Sequence, residues 1–280
     1  MSRVSTARLF QLGAELSERE RDLVLSVAKL RLASHDQLAR LLDDGTSTAG
    51  AASRARLARR TLARLSALGL LARLERRVGG VRAGSRGYCY YLGPAGQRLT
   101  AFWEGRGLVR GRYRPEPGAA YVRHRLSVSE LYVQAVLADR AHRLELLDFA
   151  VEPDCWRHYL DGYGGQVTLK PDAFVRIGVG AFEERSFIEV DLGSESRTVL
   201  ANKVRAYLDY YASGVEQQPD GVFPRVLLLV SSDARAAVIA ELLARLPESH
   251  RLFRVGRLER GLDLLADTTP DRSGAAGSQA

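Results

Sequence analysis

The sequence predicts a mixed α/β (α+β) protein in two domains, and three observations predict it. Helical apolar spacing with capping residues fills the first hundred residues. Short apolar runs of strand character, separated by helices, fill the second half. Charge divides the same way: residues 1–125 hold 24 Arg plus Lys against 10 Asp plus Glu, about +14, and the remainder holds 17 against 23, about −6. A chain of 280 residues with 46% apolar content has enough for two modest cores. A basic front half suits a polyanionic partner, and an acidic back half suits a carboxylate site or a solvated surface.

Residues 1–17 show no strong period and are expected to form a loose arm. Residues 18–32 place Leu23, Val24, Val27 and Leu30 at helical spacing behind Ser17 and Glu20, the pattern of a capping box. Ser34 caps a second helix carrying Leu38, Leu41 and Leu42. Ser53 opens a third, with Leu57, Leu62, Leu65 and Leu68 as its apolar set. Gly69 ends it, and LARLERRV and YCYYLG are two short strands joined by the loop GGVRAGSRG. PAGQRL adds one more turn of helix. Residues 99–120 contain a run rich in Gly, Arg and Pro and are expected to be a basic linker.

Three helices followed by two strands and a loop make a winged helix-turn-helix, predicted over 18–98, which aims one helix at a major groove. The third helix supplies Arg54, Arg56, Arg59, Arg60 and Arg64, and the wing supplies Arg76, Arg77, Arg82 and Arg86. Guanidinium groups suit both phosphate and the guanine edge, so double-stranded DNA is the expected partner. Only three of the 41 basic residues are lysines, Lys29, Lys170 and Lys203, a bias toward Arg that a GC-rich coding sequence also produces.

The second domain is predicted over 121–267, with a disordered tail at 268–280. A helix over about 121–141 leads to strand-like LELLDFAVE, the irregular CWRHYLDGYGGQ, and strands VTLKPDAFVRIGV and SFIEVDL. A helix over 195–213, the buried strand FPRVLLLVSS, another helix, and a final strand and helix follow. Asp172 stands at the head of one strand, and Glu189 and Asp191 share a face of the next because the strand period is two. Lys203 lies on the helix behind them. Clustered carboxylates of this kind hold Mg²⁺ through oxygen ligands and activate water for attack on a phosphodiester.

These residues resemble the PD-(D/E)XK nucleases, and the resemblance implies a restriction-endonuclease-like α/β domain after the winged helix. It implies metal binding by Asp172 and Glu189, with Asp191 beside them and Glu130 as an additional acid. The lysine that normally follows the glutamate by two positions is Asp191 here, so Lys203 would supply the amine. More of the chain, in the segments HRLSVSELYV, LKPDAF, FIEVDLGSES, KVRAYLDYY and FPRVLLLVSS, resembles the replication-relaxation family of mobile genetic elements. That resemblance implies a role with plasmid or integrative-element DNA.

Three functions fit these readings. One is a DNA-binding accessory or regulatory protein of mobile-element replication or relaxation, needing no cofactor. Another is a Mg²⁺-dependent endonuclease or nickase using Asp172, Glu189, Asp191 and Lys203. The third is a dimeric winged-helix transcriptional regulator. Homodimerisation or contact with the replication and relaxation machinery would accompany them. Tyr207, Tyr210 and Tyr211 are spaced for packing rather than for nucleophilic relaxation of DNA. Cys89 and Cys155 lack metal-ligand spacing, and Met1 to Glu20 has no signal-peptide core. No apolar run nears the about 18 residues of a membrane span. The expectation is a cytoplasmic protein without a membrane partner.

Overall fold

Helices and sheets alternate along the chain, giving the mixed α/β class that the sequence predicts. The computed structural model describes residues 5–43, 45, 50–74, 87–107, 109–111, 117–246 and 252–267. The chain divides into two compact units, residues 1–133 and 134–280.

The first unit opens with α1 (Thr6–Glu15), whose cap Ser5 accepts from the Arg8 backbone. Leu9 and Leu12 are buried, so the expected loose arm contains a packed helix. Two buried leucines in ten residues leave too short a period to read. Next, α2 (Glu18–Leu30) begins at the Ser17–Glu20 capping box and buries Leu23, Val24, Val27 and Leu30, as the spacing predicts. A short β1 (Ala33–Ser34) leads into α3 (His35–Leu42), closed by a second box between Ser34 and Gln37.

The third predicted helix is α4 (Ala51–Ala67), capped by Gly50 rather than Ser53. It buries Ala58, Leu62 and Leu65, whereas Leu57, expected in the core, is 61% exposed. One hundred degrees per residue explains this: Leu57 is rotated a quarter-turn from Ala58, away from the Leu62–Leu65 stripe. Strands β2 (Leu71–Arg73) and β3 (Cys89–Leu92) pair antiparallel, and β1 joins the other edge of β3.

Helix α5 (Pro94–Trp103) starts on Pro94, whose missing N–H costs nothing in a first turn. It extends well beyond the predicted single turn. Leu99, Thr100 and Ala101 are buried, so 99–103 belong to a packed helix and not to the expected linker. The next helix, α6 (Ala119–Arg140), begins where that linker was expected to end. Its first half belongs to the first unit. Arg125, fully buried, donates to the Leu30 carbonyl at 3.2 Å, and Ser129 donates to that of Leu32 at 2.7 Å. These bonds satisfy backbone acceptors around the end of α2 that the helix leaves orphaned.

The second unit is built on a five-stranded sheet of order β10-β9-β8-β7-β4. Its strands are β4 (Glu145–Val151), β7 (Ala173–Val179), β8 (Phe182–Asp191), β9 (Arg225–Val230) and β10 (Phe253–Arg257). The first three are antiparallel neighbours, and β8, β9 and β10 run parallel. The continuous apolar run of β9 is buried from Val226 to Val230, as expected of a central parallel strand. Part of the stretch expected to be irregular forms a strand instead: β5 (Arg157–Leu160) pairs antiparallel with β6 (Gln166–Leu169), most of which lies in the segment read as strand, with Asp161 binding the backbone of the turn.

Helices α7 (Arg197–Ala212) and α8 (Asp233–Ala244) pack through Leu200, Val204, Tyr207, Ile239 and Leu243 on one face of this sheet. That face carries Phe187, Val226, Leu228 and Val230. A short 3-10 turn leads into α9 (Gly261–Ala266), which buries Leu265.

Candidate functional site

The sheet register brings the predicted acids of the second unit together. Ala173 pairs with Ile188 across β7 and β8, so Asp172, just ahead of β7, lies beside the Glu189 end of β8. Its backbone N–H donates to the Ile188 carbonyl at 3.0 Å, and its Oδ2 accepts from the Val190 N–H at 2.7 Å. Glu189 and Asp191 follow Phe187 with a period of two, so both face the layer that contains α7. They are 3% and 5% exposed.

Buried carboxylates need partners, and each has acquired them. Lys203 and Tyr207 stand one helical turn apart on α7 and divide the two oxygens of Glu189. Tyr207 donates to Oε1 at 2.7 Å, and the Lys203 ammonium lies 2.7 Å from Oε2. The same ammonium is 3.0 Å from Glu195 Oε1. Asp191 is held differently. Its Oδ2 accepts from Arg235 Nε on α8 at 2.6 Å, and its Oδ1 accepts from the Gly193 N–H at 2.7 Å. Arg235 also donates to the Glu195 carbonyl, tying the start of α8 to the segment before α7.

Burial, reinforced by the Asp172 carboxylate, pushes the Glu189 carboxyl up to about 7; Lys203 and Tyr207 oppose that shift. Burial also works against the Lys203 ammonium. The carboxylates of Glu189, Glu195 and Asp172 outweigh it and hold the ammonium above its ordinary range. The Tyr207 hydroxyl is raised well above its usual value by burial and by Glu189, so it is a hydrogen-bond donor and not a phenolate.

These residues do not fit the Mg²⁺ expected of them. Magnesium requires open oxygen ligands at about 2.0–2.1 Å in octahedral array. Both oxygens of Glu189 are engaged by an ammonium and a hydroxyl, and both of Asp191 by a guanidinium and a backbone N–H. Among the described residues, no group of three or more His, Cys, Asp and Glu side chains is arranged to hold a metal ion. Glu130, the additional acid of the sequence reading, has other partners. It belongs to the first unit, where Arg40 lies 2.7 Å from Oε1 and Gln37 donates to Oε2 at 3.2 Å.

Two members of the cluster escaped sequence reading. Tyr207 stood among aromatics spaced for packing, and only its one-turn offset from Lys203 hints at a shared target. Arg235 carries no local signal, because its partner Asp191 lies on β8, 44 residues earlier in the chain.

In the first unit, the arginines of α4 sort into two groups. Arg54 pairs with Asp43 at 2.9 Å, and Arg64 pairs with Glu20. Arg56, Arg59 and Arg60 are exposed opposite or beside the buried stripe and have no ion pair among the described residues. Arg76, Arg77, Arg82 and Arg86 lie outside the described residues. Cys89 and Cys155 are buried free thiols, pushed by burial up to about 11 and about 12, which removes them as nucleophiles near neutral pH.

Residues 25–226 match the replication-relaxation family. The chain belongs to that family. The family match includes α4, Asp172, Glu189, Asp191 and Lys203, and ends within β9, so the Arg235 contact lies beyond it. No curated protein matches the chain. Like the sequence, the described helices contain none long and apolar enough to cross a membrane.

Proposed function

We propose that this replication-relaxation protein is a DNA-binding accessory or regulatory factor in the replication or relaxation of mobile-element DNA. In this reading the first unit is a winged helix-turn-helix, with α4 as the helix presented to duplex DNA. The second unit is a restriction-endonuclease-like body that serves without metal chemistry. One observation carries the reading: Arg56, Arg59 and Arg60 stand exposed on α4 without acidic partners among the described residues, while its other two arginines are paired.

An unpaired guanidinium on a helix surface contributes little to folding and stays available for phosphate or a base edge. The element order α2-β1-α3-α4-β2-β3, with its β1-β3-β2 sheet, supports the winged-helix reading. Arg59→Glu combined with Arg60→Glu should weaken duplex binding at least about tenfold. It should also reduce the slope of log affinity against log salt by roughly 1.8, the loss of two phosphate contacts. Fluorescence anisotropy over a salt series measures both. Affinity and slope equal to wild type, in a variant with an unchanged far-ultraviolet spectrum, would remove α4 from the DNA interface.

A further inference from the structure

Helices α7 and α8 enclose a groove of about 370 Å³ on the second unit. Its charged lining is three arginines and one acid: Arg197 and Arg205 on α7, Glu241 on α8, and Arg245 just after it. Thr198 and Asn202 add neutral hydrogen-bonding groups, and all six side chains are exposed. The groove is therefore a positive island on the half of the chain whose net charge is about −6. We infer that it holds the phosphate backbone of DNA, giving the second unit a sequence-independent nucleic-acid contact of its own. The inference rests on the DNA-binding reading above and extends it to the second unit.

Charge and chemistry both support this assignment. Arg197 and Arg245 share the one carboxylate, at 3.3 Å from Glu241 Oε2 and 2.6 Å from Oε1, and Arg205 has no ion pair among the described residues. Exposed pairs of this kind hold a guanidinium weakly, so a phosphate can take the place of Glu241. The pairing around Glu183 is a useful contrast. Arg176 and Arg185 share that carboxylate too, but Asp220 also pairs with Arg185, and the charges there balance. Guanidinium, hydroxyl and carboxamide are the groups that meet phosphate oxygens in nucleic-acid complexes. Among the described residues no aromatic side chain lines the groove, so it offers contact to the backbone without a stacking platform for bases. Arg197 and Arg205 stand about 12 Å apart along α7, roughly the axial advance of three phosphates on one strand.

The experiment titrates the full-length protein against a labelled duplex over a salt series, read by fluorescence anisotropy. Arg197→Ala combined with Arg205→Ala should weaken binding about tenfold and lower the slope of log affinity against log salt by roughly 1.8. Glu241→Gln should tighten binding about threefold, because Arg197 and Arg245 lose the carboxylate that competes with phosphate. Glu183→Gln removes a carboxylate from between two other arginines and should leave affinity within about twofold of wild type. It controls for the general effect of removing a negative charge.

Two results would overturn the assignment: affinity and slope equal to wild type in the folded double-alanine variant, or equal gains from Glu241→Gln and Glu183→Gln. Should the double variant fail to fold, Arg205→Gln alone serves in its place, with an expected slope loss of about 0.9. Arg59→Glu with Arg60→Glu is titrated in parallel to separate the two units. Weakening there with none in the groove variants removes the groove and leaves the DNA-binding reading of α4 intact. Weakening in the groove variants alone removes α4 from the interface and keeps the groove. A wild type that binds no duplex at all removes both.

Discussion

Glu189 shows how a residue type acquires its behaviour from its surroundings. On the sequence it is one of three carboxylates on two strands, equally suited to metal or to solvent. In the fold it is enclosed, faced by Asp172, and bonded to Lys203 and Tyr207. Its carboxyl is raised from an ordinary value of 4.5 to about 7, so the folded state holds the proton more tightly than the unfolded chain. The stability from this group is fully present below about 4.5 and is lost as pH rises through about 7. Full loss amounts to about 3 kcal/mol at 1.36 kcal/mol per pH unit. Urea unfolding at pH 5 and pH 8 should therefore show a decline in wild type that is absent from Glu189→Gln, whose amide does not titrate. Equal pH slopes in the two proteins would contradict the assigned environment. The acids were legible as residues; the partners that decide their charge were not.

At the scale of elements, local patterns read well where they were strong. The boundaries of α2 and α3 follow from Ser17–Glu20 and Ser34–Gln37, because capping is chemistry among near neighbours. The loose-arm reading missed α1, and the linker reading began too early, taking in the end of α5 at 99–103, because both helices owe their order to packing more than to pattern. The β5–β6 hairpin was hidden by its Gly- and Asp-rich turn and its few alternating residues.

Helix α5 also depends on close backbone approach. A Cβ added at Gly96 would lie 2.1 Å from the Leu70 carbonyl oxygen and 3.0 Å from its carbon. Backbone cannot yield there as a flexible side chain would, so Gly96→Ala should destabilise the first unit by about 2 kcal/mol despite the better helix propensity of alanine. Chemical denaturation followed by Trp103 fluorescence measures this, and a neutral or stabilising outcome would refute the close approach.

For the molecule as a whole, the basic front and acidic back halves set the expected division of labour between units. The proposed function assigns DNA contact to the first unit and no metal-dependent cleavage to the second. Supercoiled plasmid incubated with the protein and Mg²⁺ or Mn²⁺ should remain supercoiled on an agarose gel. Nicking that disappears in Asp172→Ala would instead establish a working nuclease and overturn the metal-free reading. Supercoiled plasmid suits this test because a single nick relaxes it and changes its mobility on the gel.

By itself the sequence determined the mixed α/β class, the capped helices of the first unit, the buried central strand β9 and the family resemblance. Each rests on periodicity, on short-range capping or on motif spacing, all of which survive in one dimension. Only the tertiary structure decided that Lys203 bridges Glu189 and Glu195, that Arg235 closes on Asp191, and that Glu130 pairs with Arg40 in the first unit. Those pairings depend on sheet register and on which helix covers which face. A carboxylate's neighbour in space, and with it its charge and its chemistry, is set by elements distant along the chain.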